Sequence, residues 1–253
     1  IPWKDDSYRG IFTHAKDLIY HGSAIYLEWM ALQISSMLVG FLKIDDVNFA
    51  HGSVITYLVY IQSFTLGVSV STTTYVGNSA GEGSETKAKV YAFIGAAVEI
   101  IACLLILIFT LVWRQEIAEY YSDNEEVIYF IKVILVLYCL GMLADYGSNF
   151  LAFNLRTLNK QRLVTFCFVI SYYLVGAPLS YLFGFKLGCG IWGIWVGILM
   201  GYYLMFGLMI WRTSRLDWGN EVKQIQKALR EKEAQKFDHI EHHPANLDDE
   251  ESI

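Results

Sequence analysis

Six apolar runs, each of spanning length, alternate with short polar connections along the chain, at about residues 18–42, 52–76, 88–112, 127–152, 163–185 and 188–211. At roughly 1.5 Å of rise per residue, about 20 residues cross a hydrocarbon core. A core helix in water returns a polar residue every third or fourth position, whereas residues 100–113 (IIACLLILIFTLVW) are apolar all round. The pattern predicts an all-α integral membrane protein, a bundle of six transmembrane helices over 18–211. Around it lie a polar lead segment (1–17), a charged helix (212–238) and an acidic tail (239–253) expected to be disordered.

Composition agrees with this reading. Of the 253 residues 55% are hydrophobic and 17% charged, and the mean hydropathy is +0.37, too apolar for a water-soluble domain of this length. The chain opens IPWKDD without Met and reads as a fragment or a processed product. Cys103, Cys139, Cys167 and Cys189 lie in or beside the apolar runs with no CxxC pair or Cys/His cluster, so neither a disulfide framework nor a zinc site is expected. The net charge of −6 comes partly from the tail LDDEESI, and no basic patch interleaved with aromatics points to nucleic acid.

Orientation follows from Lys and Arg in the connections. Lys4, Arg9, Lys16, Lys87, Lys89, Arg156, Lys160 and Arg162 fall on one side, against Lys43, Arg114 and Lys186 on the other. The first side is therefore expected to be cytoplasmic, with both termini there. Beyond Trp211, the segment carrying Trp218, Val222, Ile225 and Leu229 reads as a solvated cytoplasmic helix with a narrow apolar stripe. His239, His242 and His243 read as solvated rather than metal-ligating.

Ionisable groups inside spans carry the candidate chemistry, since each costs about 2.5–3.5 kcal/mol on insertion scales unless it faces a cavity or a partner. Glu28 lies near the middle of the first span, with His21 and Ser35 seven residues to either side and close to one helical face. Asp145 has Ser148 and Asn149 at i+3 and i+4, and Arg156 lies three turns on. Glu99 has no polar neighbour on its face and reads as a local helix–helix hydrogen bond. Lys132 is near enough to its span's outer end to snorkel. The second span is expected to end in SVSTTTYVGNSAGEG, its hydroxyls bonding helix carbonyls and its glycines breaking the helix. Neither this stretch nor GCGIWGIWVG has the context of a phosphate site.

Several ordered motifs then converge. They are LEW (Leu27 to Trp29); Gly67, Ser69, Val70, Val76, Gly77, Asn78, Gly81 and Gly83 in the pattern GxSV...VGNxxGxG; and Asp145 followed by Arg156 and Gln161. After them come YYxxGxP (Tyr172, Tyr173, Gly176, Pro178), GxWxG (Gly193, Trp195, Gly197) and DW (Asp217, Trp218). Over about residues 10–218 the chain resembles the C-terminal six-helix lobe of the multidrug and toxic compound extrusion (MATE) family, eukaryotic branch. The resemblance implies one lobe of a twelve-helix antiporter whose two lobes rock about a central cavity. It also implies export of organic cations, xenobiotics or metabolites in exchange for protons, with no cofactor.

On that resemblance Glu28 and Asp145 fall on motif acids, and with Gln33, His21, Asn149 and Tyr172 they make up the expected proton- and substrate-binding set. The implied partners are membrane lipid, a small-molecule substrate, protons and an N-terminal six-helix lobe. Three positions depart from the family pattern: Gln33 where a second acid is common, Tyr20 where a Pro is common, and Tyr75 where many members have an Arg. A non-transporting membrane subunit or degenerate half-transporter is the alternative reading. A lipid-linked oligosaccharide flippase would need basic residues within the spans, and no such cluster is present. The sequence contains no catalytic Ser/His/Asp set, no paired acids at glycosidase-like spacing and no metal-ligand cluster in the spans, so enzyme activity is not expected.

Overall fold

The computed structural model describes residues 33–242 and, before them, Ala15, Ile19, Tyr26, Leu27 and Met30, with side chains placed as far as Glu231. Every regular element among the described residues is helical. In chain order these are α1 (residues 33–40), α2 (Asp45–Gly81), α3 (Glu85–Val112), α4 (Arg114–Tyr121), α5 (Glu125–Thr157), α6 (Gln161–Lys186), α7 (Gly190–Ser214) and α8 (Trp218–His242). Five of them, α2, α3, α5, α6 and α7, are long and apolar enough to cross a membrane. Of the first expected span, 18–42, Ile19, Tyr26, Leu27, Met30 and residues 33–42 are described, while the lead segment apart from Ala15 and residues 243–253 lie outside the described residues.

Local chemistry sets the helix ends. Ser84 accepts a hydrogen bond from the Lys87 amide at the start of α3, and Asn124 accepts from the Glu126 amide at the start of α5. Asp217 of the DW motif accepts from the Asn220 amide and starts α8. The second span ends within the expected stretch, at its last glycines. Thr72 and Thr74 donate to the carbonyls of Val68 and Val70, which keeps their hydroxyls satisfied inside the helix, and α2 runs through Gly77 to Gly81. The turn falls at Gly83, whose φ of +80° favours glycine. The connection 114–126 contains the two-turn helix α4.

α5 is the central helix, packed on α2, α3, α4 and α7, with half of its apolar window buried. The glycines of GxWxG explain how α7 meets α6. A Cβ at Gly197 would strike the Ser180 backbone and one at Gly193 the Phe183 backbone, so only hydrogen lets the helices come this close. Ser180 donates to the Ile194 carbonyl across this contact at 2.9 Å. Around Pro178, which has no N–H to give, α6 widens into π-helical turns over Val169–Gly176 and Leu182–Lys186. Trp195 is fully buried between His51 and Tyr138, edge-on to each. Large apolar side chains such as Phe93, Tyr60 and Leu105 cover the outside, the inverse of a protein in water.

α8 is not simply solvated. Glu221 and Val222 in its first turns are buried, Glu221 pairs with Lys160 at 2.8 Å, and Gln226 and Leu229 lie against Gly83 and Gly81. The helix docks on the loops joining α2 to α3 and α5 to α6. A stripe of apolar residues one turn apart signals contact, and the cleft between the two loops receives it.

Candidate functional site

A cavity of about 290 Å³ opens between α1, α2, α3, α5, α6 and α7. Its walls are mainly apolar, and the ionisable groups on them include two carboxylates, Asp145 and Glu99, and the guanidinium of Arg156. Few polar groups in an apolar hollow is the composition of a small-molecule site.

Asp145 is held by its own helix. The Tyr138 hydroxyl donates to Oδ2 at 3.3 Å and the Asn149 amide donates to Oδ1 at 3.1 Å. Ser148 and Asn149 also donate to the Asp145 carbonyl, at 2.8 and 3.0 Å. The i+3 and i+4 neighbours therefore do act on Asp145, and Tyr138, seven residues earlier on the same face, completes the set. Each carboxylate oxygen has one donor and retains acceptor capacity towards the cavity. Arg156 lines the same cavity eleven residues further along α5, roughly 16 Å away along the helix axis, with its guanidinium 5.3 Å from the Phe153 ring centre.

Of the other expected site residues, Asn149 and Tyr172 line the cavity with Asp145. Gln33 is exposed and is not among the lining residues, whereas its neighbours Ile34 and Ser35 are. Glu28 and His21 lie outside the described residues. The Tyr173 hydroxyl of the YYxxGxP motif donates to the carbonyl of Leu27 in the LEW motif, so two motifs far apart in sequence meet.

Glu99 departs from its expectation. It is 3% exposed, it lines the cavity, and its Oε2 has no hydrogen-bond partner among the described residues. A local helix–helix hydrogen bond does not engage that oxygen. One signal for its placement was present in the sequence. Ala88, Gly95, Ala102, Cys103 and Thr110 are small and share its side of α3, and small residues mark the face of a membrane helix that meets other helices. Lys132, as expected of a residue near a span end, reaches outward and donates to Gln115 at 2.7 Å.

Comparison with known proteins places this architecture. The MatE family pattern matches residues 22–182. Multidrug and toxin extrusion protein 2 of Pongo abelii is 24% identical over 216 residues, covering 80% of this chain and 37% of that protein. Protein DETOXIFICATION 30 of Arabidopsis thaliana is 22% identical, covering 89% of this chain and 46% of its own length. The bacterial multidrug resistance protein NorM of Aliivibrio fischeri is 29% identical over 67% of this chain and 37% of its own. Among solved structures, the eukaryotic MATE transporter AtDTX14 superposes with a TM-score of 0.79 at 18% identity, over 86% of this chain and 50% of that one. The transporter ClbM in complex with Rb+ gives 0.73 at 16% identity, over 88% and 52%. The chain spans between about a third and a half of the length of the relatives it matches.

Proposed function

The chain belongs to the MatE family of multi-pass membrane transporters, and from that premise we propose that it forms one lobe of a secondary antiporter that exports organic cations, xenobiotics or metabolites in exchange for protons. The observation that carries the reading is Asp145, a carboxylate buried in a cavity of small-molecule size, oriented by Tyr138 and Asn149 with acceptor capacity to spare. Such a group holds either a proton or the positive charge of a guest. That exclusivity couples the two fluxes, because the cavity exchanges one for the other each time it changes the side it faces. Asn149 and Tyr172 belong to the same site on this reading, with Glu28, His21 and Gln33 contributed from the first span.

Alternating access needs a second lobe to rock against, which the relatives' greater length supplies. The charge bias of the connections supports a topology with the termini and α8 on the cytoplasmic side of the plasma membrane or an endomembrane. A cysteine substituted at Asp123, an exposed residue of the opposite connection, should then react with an impermeant thiol reagent on intact cells if the protein is at the surface. Reaction only after permeabilisation would reverse the orientation.

The function itself is tested with Asp145→Asn in the protein at its natural length. The amide keeps size and hydrogen bonding but cannot exchange a proton. Efflux of tetraethylammonium driven by a pH jump, measured per folded molecule in proteoliposomes, should fall at least 10-fold. Unchanged gradient-driven efflux would remove Asp145 from the coupling and with it the basis of this reading.

A further inference from the structure

Asp145 has a part in the proposed exchange, and Glu99, on the wall of the same cavity, has none. Glu99 sits fourteen residues along α3 from Glu85, and Asp145 sits twelve residues before the end of α5 at Thr157. These helix ends lie at the same face of the bundle, because α8 touches both: Gly219 meets Glu85, and Glu221 pairs with Lys160 just past α5. At 1.5 Å per residue the two acids lie about 21 and 18 Å from that face, the same depth to within a helical turn. Two carboxylates from different helices thus face one hollow at one level.

We propose that Glu99 is a second cation-binding carboxylate of this cavity, acting opposite Asp145 on the charged centre of an organic cation. Asp145 has a donor for each oxygen, whereas Glu99 Oε2 has no hydrogen-bond partner among the described residues. A bare carboxylate in an apolar wall is costly, and a proton on the oxygen or a cation beside it removes the cost. α2 contributes only neutral groups to the cavity wall, among them Gln62, Ser63 and Thr65, while α6 and α7 add the hydroxyls of Tyr172 and Tyr202. The other ionisable groups lining it are Tyr138, Asp145, Tyr146 and Arg156, all on α5, and Arg156 lies toward the cytoplasmic end, away from the level of the acids. Among the described residues two acids face the guest at that level, and a cation seated between them would neutralise the Glu99 oxygen that has no partner there. This inference rests on the cavity being a cation site and adds a residue to it.

The test uses the wild-type protein at its natural length in membranes, treated with the apolar reagent dicyclohexylcarbodiimide with and without tetraphenylphosphonium. The reagent takes the proton of an uncharged carboxylic acid onto one nitrogen while the carboxyl oxygen bonds to its central carbon. The acyl group then migrates from oxygen to nitrogen, leaving an N-acylurea that carries the whole reagent and releases nothing. Peptide mass spectrometry should find the adduct on Glu99, reduced at least 5-fold when tetraphenylphosphonium fills the cavity, and Glu99→Gln should weaken tetraphenylphosphonium binding about 10-fold. No adduct on Glu99, or an adduct that the cation does not protect, overturns the proposal. If tetraphenylphosphonium protects Asp145 but not Glu99, the cavity remains a cation site and only the role of Glu99 falls. If it protects neither acid, both readings fall.

Discussion

Two buried glutamates, Glu221 at the end of the bundle where α8 docks and Glu99 in the cavity, are 7% and 3% exposed, yet their surroundings are opposite. Glu221 has the Lys160 ammonium at 2.8 Å and closes a clasp between α8 and the loop joining α5 to α6. Glu99 has no partner for Oε2 among the described residues. Burial alone therefore does not tell what an acid is for. An acid whose charge is answered inside the fold holds elements together, and one whose charge is unanswered at the wall of a hollow is left for whatever enters the hollow.

The contrast is open to direct challenge through stability. Lys160→Glu sets a second carboxylate against Glu221 and should lower unfolding free energy by about 3 kcal/mol, seen as a fall in Tm of the detergent-solubilised protein. The double exchange Lys160→Glu with Glu221→Lys should recover most of it. If the single change leaves Tm unmoved, α8 is not clasped. Glu221→Gln keeps the shape and removes the charge, and should cost about 1–2 kcal/mol in the same measurement, less than a fully buried pair because Lys160 is partly solvated.

Salt should have a smaller effect. Raising ionic strength from 0.1 to 1 M shortens the screening length from about 10 to 3 Å, so the difference in stability between wild type and Glu221→Gln should shrink by roughly 0.5 kcal/mol. An unchanged difference would mean that Gln at 221 costs stability through lost packing or hydrogen bonding rather than through charge. The smallest change is expected at Glu99→Gln, which removes no ion pair and should leave Tm within the equivalent of about 0.5 kcal/mol. A loss there as large as at Glu221 would reveal a structural partner for Glu99 and erase the contrast.

Much of this arrangement was legible before any coordinates. The spans had to be visible, because a segment in hydrocarbon must satisfy its backbone within itself and be apolar over its own length, which is a local property. The face of Asp145 was visible for a similar reason: Ser148 and Asn149 are its neighbours on one helix, and helical spacing determines which side chains meet. The match of motifs in order and spacing pointed to the MatE family, and residues 22–182 fit its pattern.

What sequence could not decide is which way an apolar helix turns. α3 carries lipid-facing Phe93 and Leu105 and cavity-facing Glu99, and although its small residues mark the side that meets other helices, only the packing of α2 and α5 against them sets that carboxylate at the cavity wall. The clasp of α8 was hidden for a related reason, since Lys160 and Glu221 are remote in sequence and each looks like an ordinary surface charge until the loops bring them together. Local composition determined that this chain spans a membrane and where its helices run. The depth that Glu99 and Asp145 share, and the ion pair that closes on Glu221, came only from tertiary packing, because both depend on contacts between helices that no single stretch of sequence contains.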